Sequence, residues 1–407
     1  MAKENLRYRI RFWQNAAFHA IEELNSVTGK HVSAPIISMR SLLFFLLLFT
    51  LPLLIRLVWA LLFCPVPYLT PDELLYPSTA KLYIQGLASG NFSVLKVNAE
   101  HPPLSKLITA LFIFLLGPLG FSDIGALRVQ GCFFSSLTCI LAYLIGSEVD
   151  RRIGMLSWFL LSLDPVSVRF GIASLDVTSL FFASLSIYML LEAHPHSCRP
   201  YLLSGLSLGL ATLCKYSAFP IVLIAFALML FREKSPIRPA TQKISLVAAS
   251  SLALLVLGNP LFWPPQVIGF SGYSVFLEAS SRYGTGPEGA FLTPLDWLEP
   301  ALKAWNTPHA LLYLSMFGLG SLTYPLPIFQ SSYLPWLFLV SLLQSARRRA
   351  KLEGLKSKSL LWFSAAFLFF WFVAKSQAEP YYSVWLSPPL AIFSANSIID
   401  VWRKVKR

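Results

Sequence analysis

Apolar runs of about twenty residues recur along this chain, and a helix needs roughly that many to cross a bilayer core. Candidate spans fall at 41–63, 126–146, 153–170, 172–192, 201–218, 219–231, 243–262, 323–345, 359–374 and 381–402. Inside hydrocarbon every backbone N–H and C=O must be satisfied within its own segment, so these runs are expected as helices. Composition agrees: 55% of the 407 residues are hydrophobic and 13% are charged, about half the charged share of an ordinary soluble domain. A water-soluble globule, a disordered chain and a collagen-like fibre are excluded. The expected fold is an all-α polytopic membrane bundle.

The chain carries 33 Lys+Arg against 20 Asp+Glu, a net charge of +13. In a soluble protein that balance would point to nucleic acid, but here position explains it. With the N-terminus in the cytoplasm, the basic residues of 1–40, Arg151 and Arg152, Arg199, 232–243, 347–358 and the closing RKVKR all lie inside. Outside remain Lys81, Lys96, Lys106, Arg128, Arg169, Arg282, Lys303 and Lys375, while Arg56 and Lys215 fall within spans. This is the positive-inside pattern. Both termini are therefore expected in the cytoplasm, no nucleic-acid partner is expected, and the location is the plasma membrane of a prokaryote or the endoplasmic reticulum of a eukaryote.

The scheme requires 104–121, broken by Gly117, Pro118 and Gly120, to cross an even number of times. It is expected as a re-entrant segment or a bent pair of short helices returning to the outer side, which is tolerated where backbone lines a protein-enclosed cavity. Two long outer loops are expected at 64–104 and 263–322. Residues 1–40 carry charge throughout, so no cleavable signal peptide is expected. Their Ile10, Trp13, Ala17, Ile21 and Leu24 recur at helical spacing beside Arg7, Arg9 and Arg11. That tail fits an interfacial helix on an anionic membrane face or a segment packed on the remaining chain. A single transmembrane domain, 41–407, follows it.

Five cysteines without a CxxC pair give no zinc site and no disulfide framework. His194-Pro195-His196 has no acidic or Cys partner, and no metal site or other cofactor is expected, although carboxylates are able to bind a divalent ion. Asn91-Phe92-Ser93 fits an N-glycosylation sequon.

Chemistry concentrates on the outer side. Thr70, Pro71 and Glu73 fit a capping box with proline at the first helical position, which accounts for Glu73 as well as catalysis would. Asp72 is less needed for capping and fits a general base that deprotonates an acceptor hydroxyl as the oxygen attacks. Arg128 opens one span, Arg169 ends another, Lys215 lies near the outer end of 201–218, and Lys375 closes 359–374. Several cations converging at one membrane face suit a phosphate, Arg through bidentate hydrogen bonds and Lys as a point charge; each taken singly also fits snorkelling to water. His101 fits a hydrogen bond to phosphate or acceptor, or a structural place in its Pro-Pro turn. Asp164-Pro165 and Asp176 read as helix caps and a local ion pair around Arg169. Arg56 is mid-span, with Asp176 or Glu379 as conceivable partners.

In the order and spacing of these motifs the chain resembles the GT-C class of membrane glycosyltransferases, and within it the protein O-mannosyltransferase family. The aminoarabinose transferases that modify lipid A share the layout more distantly. The resemblance rests on Asp72-Glu73 after the first span, His-Pro-Pro-Leu-x-Lys at 101–106, Leu127-Arg128, Leu163-Asp164-Pro165, Arg169, Leu175-Asp176, Gly205 to Gly209, and Lys215-Tyr216. It covers about 41–231, with a fainter echo from Lys375 to Pro388. It implies a GT-C-type bundle of about 10–12 transmembrane helices with extracytoplasmic loop helices. It implies transfer of one sugar, mannose in this branch, from a polyprenyl (dolichyl-type) phosphate to a protein Ser/Thr or lipid acceptor on the extracytoplasmic face. By the same resemblance Asp72 is the catalytic acid/base with Glu73 beside it, and Arg128 holds the donor phosphate. His101 stands where the aminoarabinose branch has Lys, which places the chain with the mannosyl branch. The large lumenal domain of eukaryotic O-mannosyltransferases is missing, and the short chain suggests an archaeal or bacterial form.

A sugar phosphodiester has a good leaving group, so the step needs a base on one side and charge stabilisation on the other. In-line displacement with inversion is expected, with Asp72 activating the hydroxyl and Arg128, with Lys215 or Lys375, stabilising the departing phosphate. A transporter or flippase for a lipid-linked sugar is the alternative; it would show repeated halves, and none is visible.

Overall fold

The computed structural model describes residues 39–63, 72–99, 101–172, 175–193, 197–232, 236–269, 271, 274–275, 333–347, 354–373 and 384–405. Every regular element among them is helical. The chain forms two compact units, Met1–Leu47 and Leu48–Arg407. Within the first, the described residues are the opening turns of α1 (Met39–Val58); the expected amphipathic tail lies outside the described residues.

The second unit continues α1, which widens into a π-helical turn at Trp59–Phe63. It then runs through α2 (Asp72–Ala88), α3 (Leu104–Leu116), α4 (Asp123–Ser147), α5 (Arg151–Leu163), α6 (Pro165–Phe170), α7 (Leu175–Leu191) and α8 (Arg199–Cys214). After these come α9 (Ala218–Arg232), α10 (Ile237–Gly258), α11 (Leu334–Arg347), α12 (Gly354–Val373) and α13 (Ser387–Val405). Among the described residues, Leu43–Leu62, Asp123–Ser147 and Arg238–Gly258 are long and apolar enough to cross a membrane. The stretches Leu104–Leu119, Leu175–Leu191 and Ala218–Phe231 are shorter apolar helices.

Most expected spans coincide with a helix, but 153–170 is two. Asp164 takes an extended backbone (φ −63°, ψ 119°) before Pro165, because proline disfavours helical geometry in the residue preceding it. Asp164 then caps α6, its Oδ2 accepting from the Ser167 N–H at 2.9 Å.

Within this unit α4 packs against α3, α5, α7 and α13; α8 lies between α7 and α10; and α13 also packs on α5, α11 and α12. The α4–α5 crossing is close because glycine faces glycine. A Cβ on Gly146 would stand 2.8 Å from the Gly154 Cα, and small residues are what allow membrane helices such approach.

Polar contacts differ at the two ends of the helices. At one end Arg403 pairs with Asp150, Lys356 with Asp400 at 2.5 Å, and the Arg152 guanidinium lies 4.9 Å from the Trp402 ring centroid. At the other end stand Glu73, His101, Arg128, Asp176 and Lys215. Segment 104–121 forms one short helix followed by a 3-10 turn. Helix α3 has 13 residues, about 20 Å against a hydrocarbon core of about 30 Å. At its start Lys106 Nζ donates to the Asn98 carbonyl at 2.5 Å. At its end Gly117–Leu119 form a 3-10 turn, Gly120 reverses the chain at φ 85°, and Asp123, opening α4, pairs with Lys81 of α2 at 2.6 Å.

Candidate active site

Asp72 and Glu73 open α2. Glu73 is fully buried, and its Oε1 and Oε2 accept from Arg128 Nε at 3.1 Å and Nη2 at 3.0 Å. Arg128 Nη1 donates to the Ala60 carbonyl at 3.0 Å. That carbonyl belongs to the π-turn ending α1, a geometry that often marks functional positions. The first loop helix is thereby fastened to α4 by a bidentate ion pair, a contact that neither the helix cap nor the catalytic place expected of Glu73 includes.

A second buried pair stands on α7 and α8. Helix α8 stops at Cys214, and Lys215 turns to an extended backbone (φ −156°, ψ 128°). Its Nζ meets Asp176 Oδ2 at 2.5 Å. Asp176 Oδ1 accepts from the indole Nε1 of Trp385 at 2.8 Å, so the segment leading into α13 reaches the same carboxylate.

His101 stands against the apolar cluster that adjoins both pairs. Its ring lies edge-on to Tyr76 with centroids 6.0 Å apart, and Tyr76 forms one buried cluster with Leu127 and Leu175, the neighbours of Arg128 and Asp176. Part of His101 reaches the surface, yet desolvation first, then the charges of Lys215 and Lys106, hold its imidazole well below the ordinary 6.5. At neutral pH it is an uncharged hydrogen-bonding group rather than a cation. Lys106 fixes the loop that carries it. Fully buried, it donates to the carbonyls of Asn98 (2.5 Å) and His101 (2.8 Å) and lies 5.3 Å from the Tyr83 centroid. Asn98 accommodates this wrapping with φ 54°.

Arg169 ends α6 with its guanidinium 5.2 Å from the Phe170 ring centroid and is partly buried. Asp164 is a helix cap, as expected. Asp176 pairs with Lys215 rather than with Arg169. Arg56 does not pair with Asp176 either. It is fully buried, donating to the carbonyls of Pro52 (3.2 Å), Leu161 (3.3 Å) and Ser162 (3.4 Å) and to Cys139 Sγ (3.4 Å). It thus caps the carbonyl end of α5, where a cation complements the helix dipole. Thr70, Lys375 and Glu379 lie outside the described residues. Trp385, Tyr76 and Gln130 were not singled out from the sequence; an aromatic or amide in an apolar run carries no charge signal.

Residues 100–263 match the family described as dolichyl-phosphate-mannose-protein mannosyltransferase. The matched stretch contains His101, Arg128, Arg169 and Lys215, and does not reach Asp72, Glu73 or Lys375. No curated protein matches the chain in sequence. In structure it is similar to the archaeal oligosaccharyltransferase AglB from Archaeoglobus fulgidus, solved with an inhibitory peptide and a dolichol-phosphate. The TM-score is 0.51 at 15% identity, covering 91% of this chain and 52% of that one. It is also similar to ArnT from Cupriavidus metallidurans bound to undecaprenyl phosphate. There the TM-score is 0.52 at 16% identity, covering 89% of this chain and 62% of that one. The chain thus spans about half to three-fifths of the length of these structures. It is a multi-pass membrane protein with the fold of the GT-C membrane glycosyltransferases, and the resemblance read from the sequence is borne out.

Proposed function

We propose that this protein transfers one sugar from a polyprenyl-phosphate carrier to an acceptor hydroxyl at the end of the bundle that holds the two buried ion pairs. The sugar is mannose and the acceptor a protein Ser or Thr, and this end faces the extracytoplasmic side with both termini in the cytoplasm. The observation that carries the reading is that Glu73–Arg128 and Asp176–Lys215 adjoin one buried cluster of Tyr76, Leu127 and Leu175, against which the His101 ring lies, with His101, Arg128, Asp176 and Lys215 inside the stretch that matches the mannosyltransferase family. Ionised groups at membrane depth are costly and are retained where they act.

In the proposed step Asp72 takes the proton of the acceptor O–H as that oxygen bonds to the anomeric carbon. The bond from that carbon to the phosphate oxygen breaks, its electron pair staying on the polyprenyl phosphate, and the configuration inverts. Arg128 and Lys215 stabilise the charge on the departing phosphate, which competes with Glu73 and Asp176 for them; Arg169 and Lys375 add positive potential. Such groups act strongly because they are held in place before the reaction. Neutral His101 offers a hydrogen bond to phosphate or acceptor.

The test uses the full chain in nanodiscs with labelled dolichyl-phosphate-mannose and a Ser/Thr peptide. Wild type is expected to transfer label, and Asp72→Asn to lose about 10²- to 10⁴-fold, the range of a general base. Absence of transfer from any polyprenyl-phosphate sugar, or wild-type turnover in Asp72→Asn, would overturn the proposal.

A further inference from the structure

Helices α4 and α7 run side by side in one direction along a seam whose partners keep a constant sequence offset. Leu127 and Leu175 share the buried cluster under Tyr76. Gln130 meets Thr178, 48 residues on, and Phe134 lies against both Phe181 and Phe182, with centroids 5.5 and 5.9 Å away, the second at the same offset. The spacing along each helix, three residues and then four, is that of a helical contact stripe.

Apolar pairs in such a stripe tolerate a slip of one turn, because one aliphatic or aromatic contact replaces another. Gln130 does not. It is 1% exposed, its Oε1 accepts from Thr109 Oγ1 at 2.6 Å, and its Nε2 donates to Thr178 Oγ1 at 3.1 Å. Nε2 also lies 3.4 Å from both the carbonyl and the hydroxyl of Ser105. One amide therefore joins α3, α4 and α7, and sliding any of them would leave a buried donor or acceptor unmatched. A lone amide in an apolar helix seam is the best-attested way for a buried polar group to set register.

The joint lies between the functional groups. Arg128 precedes Gln130 by two residues, and Asp176 precedes Thr178 by two, a rise of about 3 Å with the side chain turned to the other side of the helix. Each helix shows its ion pair on one flank and its half of the joint on the other. Ser105, the third anchor, adjoins the Lys106 that wraps the His101 loop. We infer that Gln130 is the positioning residue that fixes the Glu73–Arg128 pair, the Asp176–Lys215 pair and the His101 loop relative to one another. Its bearing on turnover rests on the proposed function; its bearing on helix register does not.

The test combines turnover with hydrogen–deuterium exchange on the full chain in nanodiscs, for Gln130→Leu, Thr178→Val, the double variant and Gln130→Glu, which keeps the acceptor toward Thr109. Gln130→Leu and Thr178→Val are each expected to lower kcat about tenfold with little change in acceptor KM, and the double variant to lose no more than the worse single. Exchange is expected to quicken in 104–110 and 175–180 together. Should Gln130→Leu not fold, Thr178→Val and Gln130→Glu read the same coupling. Multiplying losses in the double variant, exchange confined to α4, or full turnover in folded Gln130→Leu would overturn the inference. If wild type transfers no sugar while exchange remains coupled across α3 and α7, the proposed function fails and the register role stands.

Discussion

Glu73 and Arg128, 55 residues apart in sequence, meet through two parallel hydrogen bonds with both side chains buried. Removing one member leaves the other as an uncompensated charge in a low-dielectric site, costing about 3–5 kcal/mol. Arg128→Met and Glu73→Gln are each expected to lower the melting temperature in detergent, and the double variant to recover most of the loss. Donor transfer should stay lost in Arg128→Met and in the double variant. A double variant no more stable than the worse single would show that the pair does not stabilise the fold in this way.

Trp385 donates to a carboxylate that Lys215 also holds. A hydrogen bond to an ionised group contributes about 1.5–3 kcal/mol. Trp385→Phe keeps the ring and removes the donor, so a loss of stability in that range is expected, with weaker binding of polyprenyl phosphate measured by fluorescence quenching. An unchanged unfolding free energy would mean that the indole N–H contributes nothing.

Two groups outside the spans give opposite pH dependences. Burial, Lys215 and Lys106 depress His101 below 6.5, so the unfolded chain binds its proton more readily and stability falls as pH drops below about 6.5. Glu148 is raised from 4.5 to about 7 by a hydrogen bond with the Glu192 carboxyl, then by burial and repulsion. Its contribution is full below pH 4.5 and is lost as pH rises through about 7. Melting temperatures between pH 4.5 and 8 should show the acid-side fall shrink in His101→Gln and the rise-side fall shrink in Glu148→Gln. Unaltered profiles in both variants would contradict these assignments.

At the α4–α5 crossing a Cβ on Gly154 would run into the Tyr143 carbonyl and the Ser147 hydroxyl. Gly154→Leu is expected to force the helices apart and sharply reduce the yield of folded protein by size-exclusion chromatography. Leu163→Val, on the exposed side of the same helix, should behave as wild type. Equal yields for the two would show that the close approach is not required.

What the sequence made legible was set by charge against an apolar background. Arg128 and Lys215 stand out because a cation in such a run is conspicuous, and both lie where the buried pairs form. Their partners were not legible, because 55 and 39 residues separate the members and no local pattern records which acid meets which base. Trp385 is one of 11 tryptophans, and nothing local marks the one that faces Asp176. Arg56 suggested an acidic partner, whereas the end of α5 supplies backbone carbonyls, which every residue has and no side-chain pattern can show. The break at Asp164-Pro165 was readable in principle, since an Asp before Pro ends one helix and caps the next; the continuous hydropathy on either side masked it.

The Trp385–Asp176 contact spans 209 residues, which orders events during biosynthesis. Helices α4 through α10 emerge from the ribosome and enter the bilayer well before the indole exists. A chain caught midway therefore has Asp176 and Lys215 without their final brace. Synthesis of the segment that carries Trp385, rather than of any earlier helix, supplies that brace.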